Sequence, residues 1–367
     1  MGGSIPSVNE PVLSNSQLAE LLAAASERED GHRARSLSRA AWYALSWDEE
    51  AAMLAEDGRL TDLPAVGPWV AARIEAFLEE APEPPEPPPL RRGFRSLAES
   101  RRVVDDHAGV RAEFRADLQM HTTYSDGRAS VAEMVDAAEG HGHEHVAVTD
   151  HSKGLRIARG MDEEGFAVQD REIEALNREL EAGGRTIRAL RAIEANLSPE
   201  GEPDMEPSWL AGRDLVLGAF HSKLREPGDQ TERYVAAVSG GAIDVLAHPR
   251  GRKFNRRLGL RADWPRVLAA AERAGVAVEV DAYPDRQDLD VDLVRAARDA
   301  GTWLSVGTDA HRLHELRFIE IGVAAVILAG FPRERVLNFL TREELLDWVA
   351  ARRSPPREGP LPAGGLA

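Results

Sequence analysis

The chain has 367 residues and 43% hydrophobic content, enough for one large domain and a small one. It contains no cysteine, which excludes disulfides and thiolate metal sites, and no apolar run of about 18 residues, so no membrane span is expected. The net charge of −17 argues against broad electrostatic binding of nucleic acid.

The first ten residues lack the charged and apolar regions of a secretion signal, and a cytoplasmic location is expected. Residues 1–80 read as a small all-α domain. Ser16 is the expected N-cap of a helix over 17–26, followed by amphipathic helices over 32–46 and 70–80. Before the last of these, Leu63-Pro64-Ala65-Val66-Gly67 has the form of a helix-hairpin-helix turn, whose amides can hold a phosphate. Ala65 stands where the first glycine of such a turn is usual. The domain carries 6 Arg, no Lys and 14 acidic residues, so packing or docking is expected of it rather than a DNA clamp. The proline-rich stretch 81–90 is an extended linker, and a helix over 90–110 leads into a second domain, 91–353. The Pro/Gly-rich tail 354–367 is expected to be mobile.

From residue 114 strand and helix patterns alternate. Strands are expected over 114–121, 144–150, 186–195, 214–221, 243–248, 276–282 and 303–309. Helices are expected over 131–139, 162–182, 229–238, 264–274 and 291–300. The fold class is α/β. A seven-stranded (β/α) barrel is expected, with its site at the C-terminal strand ends, and an open doubly wound sheet is the alternative.

What those strands end in matters most. His121, Asp126, His151, Glu194, His221, His248, Asp309 and His311 are nitrogen and carboxylate donors of the kind that bind zinc, manganese or iron. Eight donors exceed what one tetrahedral ion uses, so two or three divalent metals are expected, with Glu194 bridging. A hydroxide between them would be the nucleophile. Glu194, Asp309 and His311 are the candidate catalytic residues. Asp150 is expected to orient a ligand or cap a turn. The dense tract His141-Gly142-His143-Glu144-His145 precedes its strand and so belongs to the opposite rim, where stability or solvent exposure is expected.

Against 42 Arg there are 3 Lys, and each follows a strand-end histidine by two to five residues. Lys153, Arg159, Lys223, Arg250 and Lys253 are therefore the candidate phosphate-binding residues, with Arg156, Arg252, Arg256, Arg257 and Arg286 as further candidates.

These motifs match a family. Asp-Leu-Gln-Met-His-Thr-Thr-Tyr-Ser-Asp-Gly at 117–127, Val-Thr-Asp-His-Ser at 148–152, Ala-His-Pro at 247–249, Val-Glu-Val-Asp-Ala-Tyr-Pro-Asp-Arg at 278–286 and Gly-Thr-Asp-Ala-His at 307–311 carry the likeness. Over 115–350 the chain resembles the PHP (polymerase and histidinol phosphatase) domain, closest to the one at the C-terminus of bacterial family X DNA polymerases. The resemblance implies a distorted barrel with three metals. His121, Glu194 and Asp309 would hold the first, Glu194, His221 and His248 the second, and Asp126, His151 and His311 the third. Gln119 stands where many members have histidine, so the first metal is expected to be weaker or exchangeable.

Residues 1–80 resemble the small helical DNA-end domain of those polymerases. The linker leaves no room for their synthetic modules, so DNA synthesis is not expected. With no lysine through residue 152, Schiff-base lyase chemistry lacks its amine. Ala324-Ala325-Val326-Ile327 stands where the relatives carry Arg-rich sequence, which implies a less basic cleft wall.

The expected activity is metal-dependent hydrolysis of a phosphoester at nucleic-acid 3′ ends, by exonuclease or 3′-phosphatase action. A phosphatase acting on a nucleotide or histidinol-phosphate-like monoester and a non-catalytic DNA-end binding protein are the alternatives.

Overall fold

The structure is a computed structural model that describes residues 12–354. The tail beyond 354 and the segment read for a secretion signal lie outside the described residues.

Four helices open the chain: α1 (Asn15–Ser26), α2 (Gly31–Ala44), α3 (Ala51–Glu56) and α4 (Pro68–Glu80). They close around Leu18, Leu22, Leu37, Trp47 and Ile74. The first helix starts earlier than expected. Ser14, not Ser16, is its N-cap, because only Ser14 has Gln17 at the third helical position to complete a capping box. The Ser16 hydroxyl instead donates to Glu99 Oε1 at 2.7 Å. In the turn before α4, Ala65 takes a left-handed φ of 68°, a conformation that glycine adopts without strain.

The proline stretch carries no regular secondary structure. The single helix expected over 90–110 is two, α5 (Leu97–Asp105) and α6 (Ala108–Glu113), the first started by a Ser96/Glu99 capping box. Around this segment the helical domain is tied to the second domain. Arg91, buried, donates to Glu20 Oε2 at 2.8 Å, Glu27 Oε1 at 2.7 Å and Asn255 Oδ1 at 2.9 Å. Trp42 Nε1 donates to Asp285 Oδ2 at 2.9 Å, and the Phe254 side chain sits in the core of the helical domain.

Seven parallel strands follow: β1 (Ala116–Met120), β2 (His145–Val148), β3 (Arg188–Asn196), β4 (Leu215–Ala219), β5 (Val245–Leu246), β6 (Ala277–Asp281) and β7 (Leu304–Gly307). They pair in sequence order. The ends meet: Asp309 N–H donates to Gln119 O at 3.0 Å and His121 N–H to Ala310 O at 2.8 Å. Lower in this seam, buried Asn338 accepts from Val306 N–H at 2.8 Å and donates to Ala116 O at 2.9 Å and Val306 O at 2.8 Å. The result is the barrel, not the open sheet.

Between the strands run α7 (Val131–Gly140), α8 (Glu163–Ala182), α9 (Pro207–Leu210), α10 (Thr231–Ser239), α11 (Trp264–Ala274) and α12 (Val291–Asp299), and α13 (Ile319–Ala329) follows β7. The last helix, α14 (Arg342–Arg353), closes the N-terminal end of the barrel with Leu345 and Val349, while Arg352 and Arg353 bind Asp244. The stretch 324–327 expected to wall the substrate cleft lies in α13. Ala324, Ala325 and Val326 are buried there in an apolar helix, and Ala325 lines a concavity whose basic residues come from other segments, Arg92, Arg250 and Arg252 among them.

Candidate metal centre

Strand alternation carries side chains from the barrel core to the mouth. Leu190 and Ala192 of β3 fill the barrel interior, and Glu194 is next on that face. On β4, Leu215, Leu217 and Ala219 lead to His221, and on β2 Ala147 leads through Thr149 to His151. On β7 the same alternation turns Leu304 and Val306 outward into the helix layer, which leaves Gly307 and Asp309 facing in. On β1 a register shift between Asp117 and Met120 re-aims the strand before His121. His248 is delivered by a left-handed φ of 27°.

These donors converge on Glu194, which is fully buried. Its Oε1 lies 2.7 Å from His248 Nε2 and 3.1 Å from His221 Nε2, and its Oε2 lies 3.2 Å from His151 Nδ1 and 3.3 Å from His121 Nε2. His121 Nε2 is also 3.0 Å from Asp309 Oδ1. Outward of these, Asp126 Oδ1 is 3.2 Å from His311 Nε2 and 3.5 Å from His151 Nε2. Three groups have ligand atoms within 4.8 Å of one another: His121, Asp126, His151 and His311; His151, Glu194 and His221; and His121, Glu194 and Asp309. His151 thus belongs to two groups, while His248 meets the centre through Glu194 alone.

Burial would push the Glu194 carboxyl up, but His151, His221 and His248 hold it well below the usual carboxylate range. Asp126 is likewise brought down to about 2 by His311, His121 and His151 against its burial. Despite these close approaches, both ring nitrogens of His121, Nδ1 of His151 and of His248, and Glu194 Oε2 are buried without a hydrogen bond of good geometry. Such atoms are costly to bury unless something binds them. Two rings have their tautomers set from behind, His311 Nδ1 by the Asp309 carbonyl at 2.7 Å and His221 Nδ1 by Asn196 Oδ1 at 3.1 Å, which leaves each Nε2 free to coordinate. The donor set fits divalent cations.

The sequence matches the PHP domain family over residues 117–274. It is 34% identical over 227 residues to the DNA polymerase/3'-5' exonuclease PolX of Bacillus subtilis (strain 168), spanning 62% of this chain and 39% of that protein. It is also 30% identical over 256 residues to a protein named Probable phosphatase from Edwardsiella ictaluri (strain 93-146), spanning 66% of this chain and 96% of that one. The chain belongs to the PHP family. It is a hydrolase of the metal-dependent phosphoesterase class. Among solved structures it is similar to the histidinol phosphate phosphatase of Lactococcus lactis subsp. lactis Il1403 complexed with zinc, L-histidinol and phosphate. That likeness has a TM-score of 0.44 and 17% identity, over 60% of this chain and 95% of the other.

Around this PHP centre the loop of 121–127 is held by Asp150, which accepts from Thr122 N–H at 2.9 Å, Thr122 Oγ1 at 2.6 Å and Gln169 Nε2 at 2.5 Å. Gly127 closes that loop where a Cβ would lie 2.5 Å from the His121 carbonyl. The basic candidates divide. Lys253 is half-buried near Asp309 and Arg286, its pKa lowered by burial and then by Arg286. Arg159 and Lys223 are exposed on loops with left-handed backbones, and exposed Lys153 pairs with Glu163 at 2.8 Å. Arg250 is turned away. Asp290, the N-cap of α12, takes it at 2.7 Å and takes Arg252 at 3.0 Å, so both guanidinium groups brace a loop.

Arg286, a minor candidate from sequence, sits 3.1 Å from Asp309 Oδ2 and 3.5 Å from Asp281 Oδ2. Glu279 and Asp281 were missed. Both are fully buried below the mouth, on the inward face of β6 with Ala277, and alternation from Ala277 was the signal for them. Glu279 Oε2 accepts from His248 N–H at 2.8 Å, and burial with Asp281 nearby pushes its carboxyl well up. The His141–His145 tract does lie at the opposite rim, before β2, but His143 and His145 are buried rather than exposed. His314 is on the surface.

Proposed function

We infer that this chain hydrolyses phosphoesters at nucleic-acid 3′ ends, by exonuclease or 3′-phosphatase action, using two or three bound divalent metals (zinc, manganese or iron). The observation that carries the reading is the convergence of four imidazoles on one fully buried carboxylate, Glu194, with Asp126, Asp309 and His311 beside it. His121, Glu194 and Asp309 would hold one cation, Glu194, His221 and His248 a second, and Asp126, His151 and His311 a third. When bound, such cations supply Lewis acidity at phosphoryl oxygens and lower the pKa of an attacking water.

The protein's own groups do the rest. Glu194 supplies shared negative charge and Asp309 orients His121. Arg286 keeps its charge among Asp309, Asp281 and Asp285, which lets it compensate the acidic floor whatever the substrate carries. Lys253 adds a positive charge beside that floor, where a phosphate leaving the centre would meet it. The likeness to PolX supports a nucleic-acid substrate, and the net charge of −17 favours the second reading, a small phosphomonoester.

The two separate in one assay with added manganese or zinc, comparing p-nitrophenyl phosphate, its bis-ester, histidinol phosphate and 3′-recessed DNA. Nucleic-acid turnover that falls steeply with salt is expected. Salt-insensitive turnover confined to monoesters would overturn the reading.

A further inference from the structure

The helical domain is acidic in sum, yet its charge is segregated. Residues 31–47 contain no carboxylate but include His32, Arg33, Arg35 and Arg39. Several of the domain's acids are paired with arginines outside α2: Glu20 and Glu27 with Arg91, Asp48 with Arg101, and Glu50 with Arg102. What remains uncovered on α2 is basic. Leu37, Ala40, Ala41 and Ala44 form its buried face, and Arg35, Arg39, Trp42 and Tyr43, spaced by about one and two turns, share the outer one. Arg33, Arg35 and Arg39 are exposed and none makes an ion pair among the described residues.

Two concavities meet on this face, sharing Arg35 and Arg39. One, of about 930 Å³, lies against the turn before α4 and includes Arg33 and Trp69. Trp69 is 40% exposed, with the Arg33 guanidinium 5.4 Å from its ring centre. The other, of about 700 Å³, runs between α2 and the barrel and is lined by Trp42, Tyr43, Lys253, Arg256 and Asp285. Its barrel side leads toward the metal centre: Lys253 lies near Asp309, and Asp285, bonded to Trp42, precedes Arg286, which contacts Asp309.

We propose that the outer face of α2, continued by Lys253 and Arg256, is the path along which single-stranded nucleic acid reaches the metal centre. The proposal rests on the nucleic-acid reading of that centre and adds a surface to it. Unpaired guanidinium groups beside partly exposed aromatic rings suit a phosphodiester chain with bases to stack. From Arg35 to Trp42, two turns along that face, the helix rises about 10 Å, a span that exceeds any single phosphate group and suits an extended strand. A small monoester would fill the mouth without touching this face.

The test uses the full chain and a fluorescent oligothymidylate long enough to cover α2 and the mouth, followed by anisotropy in chelator at rising salt. The double variant Arg35→Glu/Arg39→Glu is expected to lose at least about tenfold in affinity, and its salt slope to shrink by about 1.4. Turnover of p-nitrophenyl phosphate should be unchanged, because neither residue belongs to the centre. The milder Arg35→Gln/Arg39→Gln pair should show the same order with a smaller loss. Wild-type affinity in both variants overturns the path, as does wild-type binding that is absent or insensitive to salt. Binding that depends on these arginines, with no cleavage of DNA, supports the path while the substrate reading falls.

Discussion

Replacing Glu194 by Gln keeps the shape of the side chain and removes the charge on which four histidines converge. At an effective dielectric of about 20, unit charges 4 Å apart interact by about 4 kcal/mol, and a divalent ion doubles that. Much of this is returned because a carboxylate no longer has to be buried. A net loss of about 3–4 kcal/mol raises the metal Kd by roughly two to three orders of magnitude. Thermal unfolding with and without zinc or manganese reads it directly. At free metal about 100 times the wild-type Kd, binding adds about 2.7 kcal/mol. For a domain of this size that is a rise in Tm of roughly 5–10 °C. The variant, its Kd now at or above the metal concentration, should gain about 1 °C or less. Turnover of p-nitrophenyl phosphate should drop at least about a hundredfold. A variant whose Tm climbs as far as the wild type's on adding metal refutes the assignment of Glu194 as the shared ligand.

Arg286→Met should destabilise the metal-free protein by about 3–5 kcal/mol, because Asp309 and Asp281 lose their buried counter-charge. Urea unfolding should show a smaller loss with metal present, and an equal loss in both states would contradict this role. Asn338→Leu leaves both polar groups of Val306 and the Ala116 carbonyl unpaired in the β1–β7 seam, at a cost of about 3–5 kcal/mol by denaturant titration. A loss within about 1 kcal/mol would mean that the seam holds without it. Burial lowers the His145 pKa to about 4, below its unfolded value near 6.5. Its contribution to stability is therefore complete above about pH 6.5 and drains away as pH falls toward 4, by up to about 1.4 kcal/mol per unit. His145→Phe should flatten that part of the stability profile, and a profile parallel to the wild type's would exclude His145 as a source.

The strand-end donors were legible because alternation is local. Leu190 and Ala192 must face the barrel interior, and Glu194 then has no choice of side. His248 does not follow from alternation; its aim depends on a left-handed backbone that the sequence Ala-His-Pro does not announce. Nor does the place of Arg286, which is set when the chain after β6 folds back and Asp288 pairs with Asp281. The two helices of 97–113 read as one because the break between them lies in polar residues with neither proline nor a strong cap, and α13 gave no periodicity because it is apolar on all sides. Net charge hides how the charge is distributed. Summed over residues 1–80 it is −8, and only the fold shows which acids are spent against Arg91, Arg101 and Arg102.

The loop that follows β5 carries Lys253, Arg256 and Arg257, and an unsupported segment of that composition would sample many shapes in water. Here it is stitched down: Phe254 N–H donates to Asp285 O at 2.8 Å, Asn255 N–H to Leu90 O at 3.0 Å, and Lys253 pairs its backbone with Arg257 at 2.8 Å. With the Phe254 ring held by the helical domain, the entropy of fixing these cations is lost once, when the chain folds. An anion arriving at the mouth meets a rigid receptor, so association should follow single-step kinetics without a slower rearrangement.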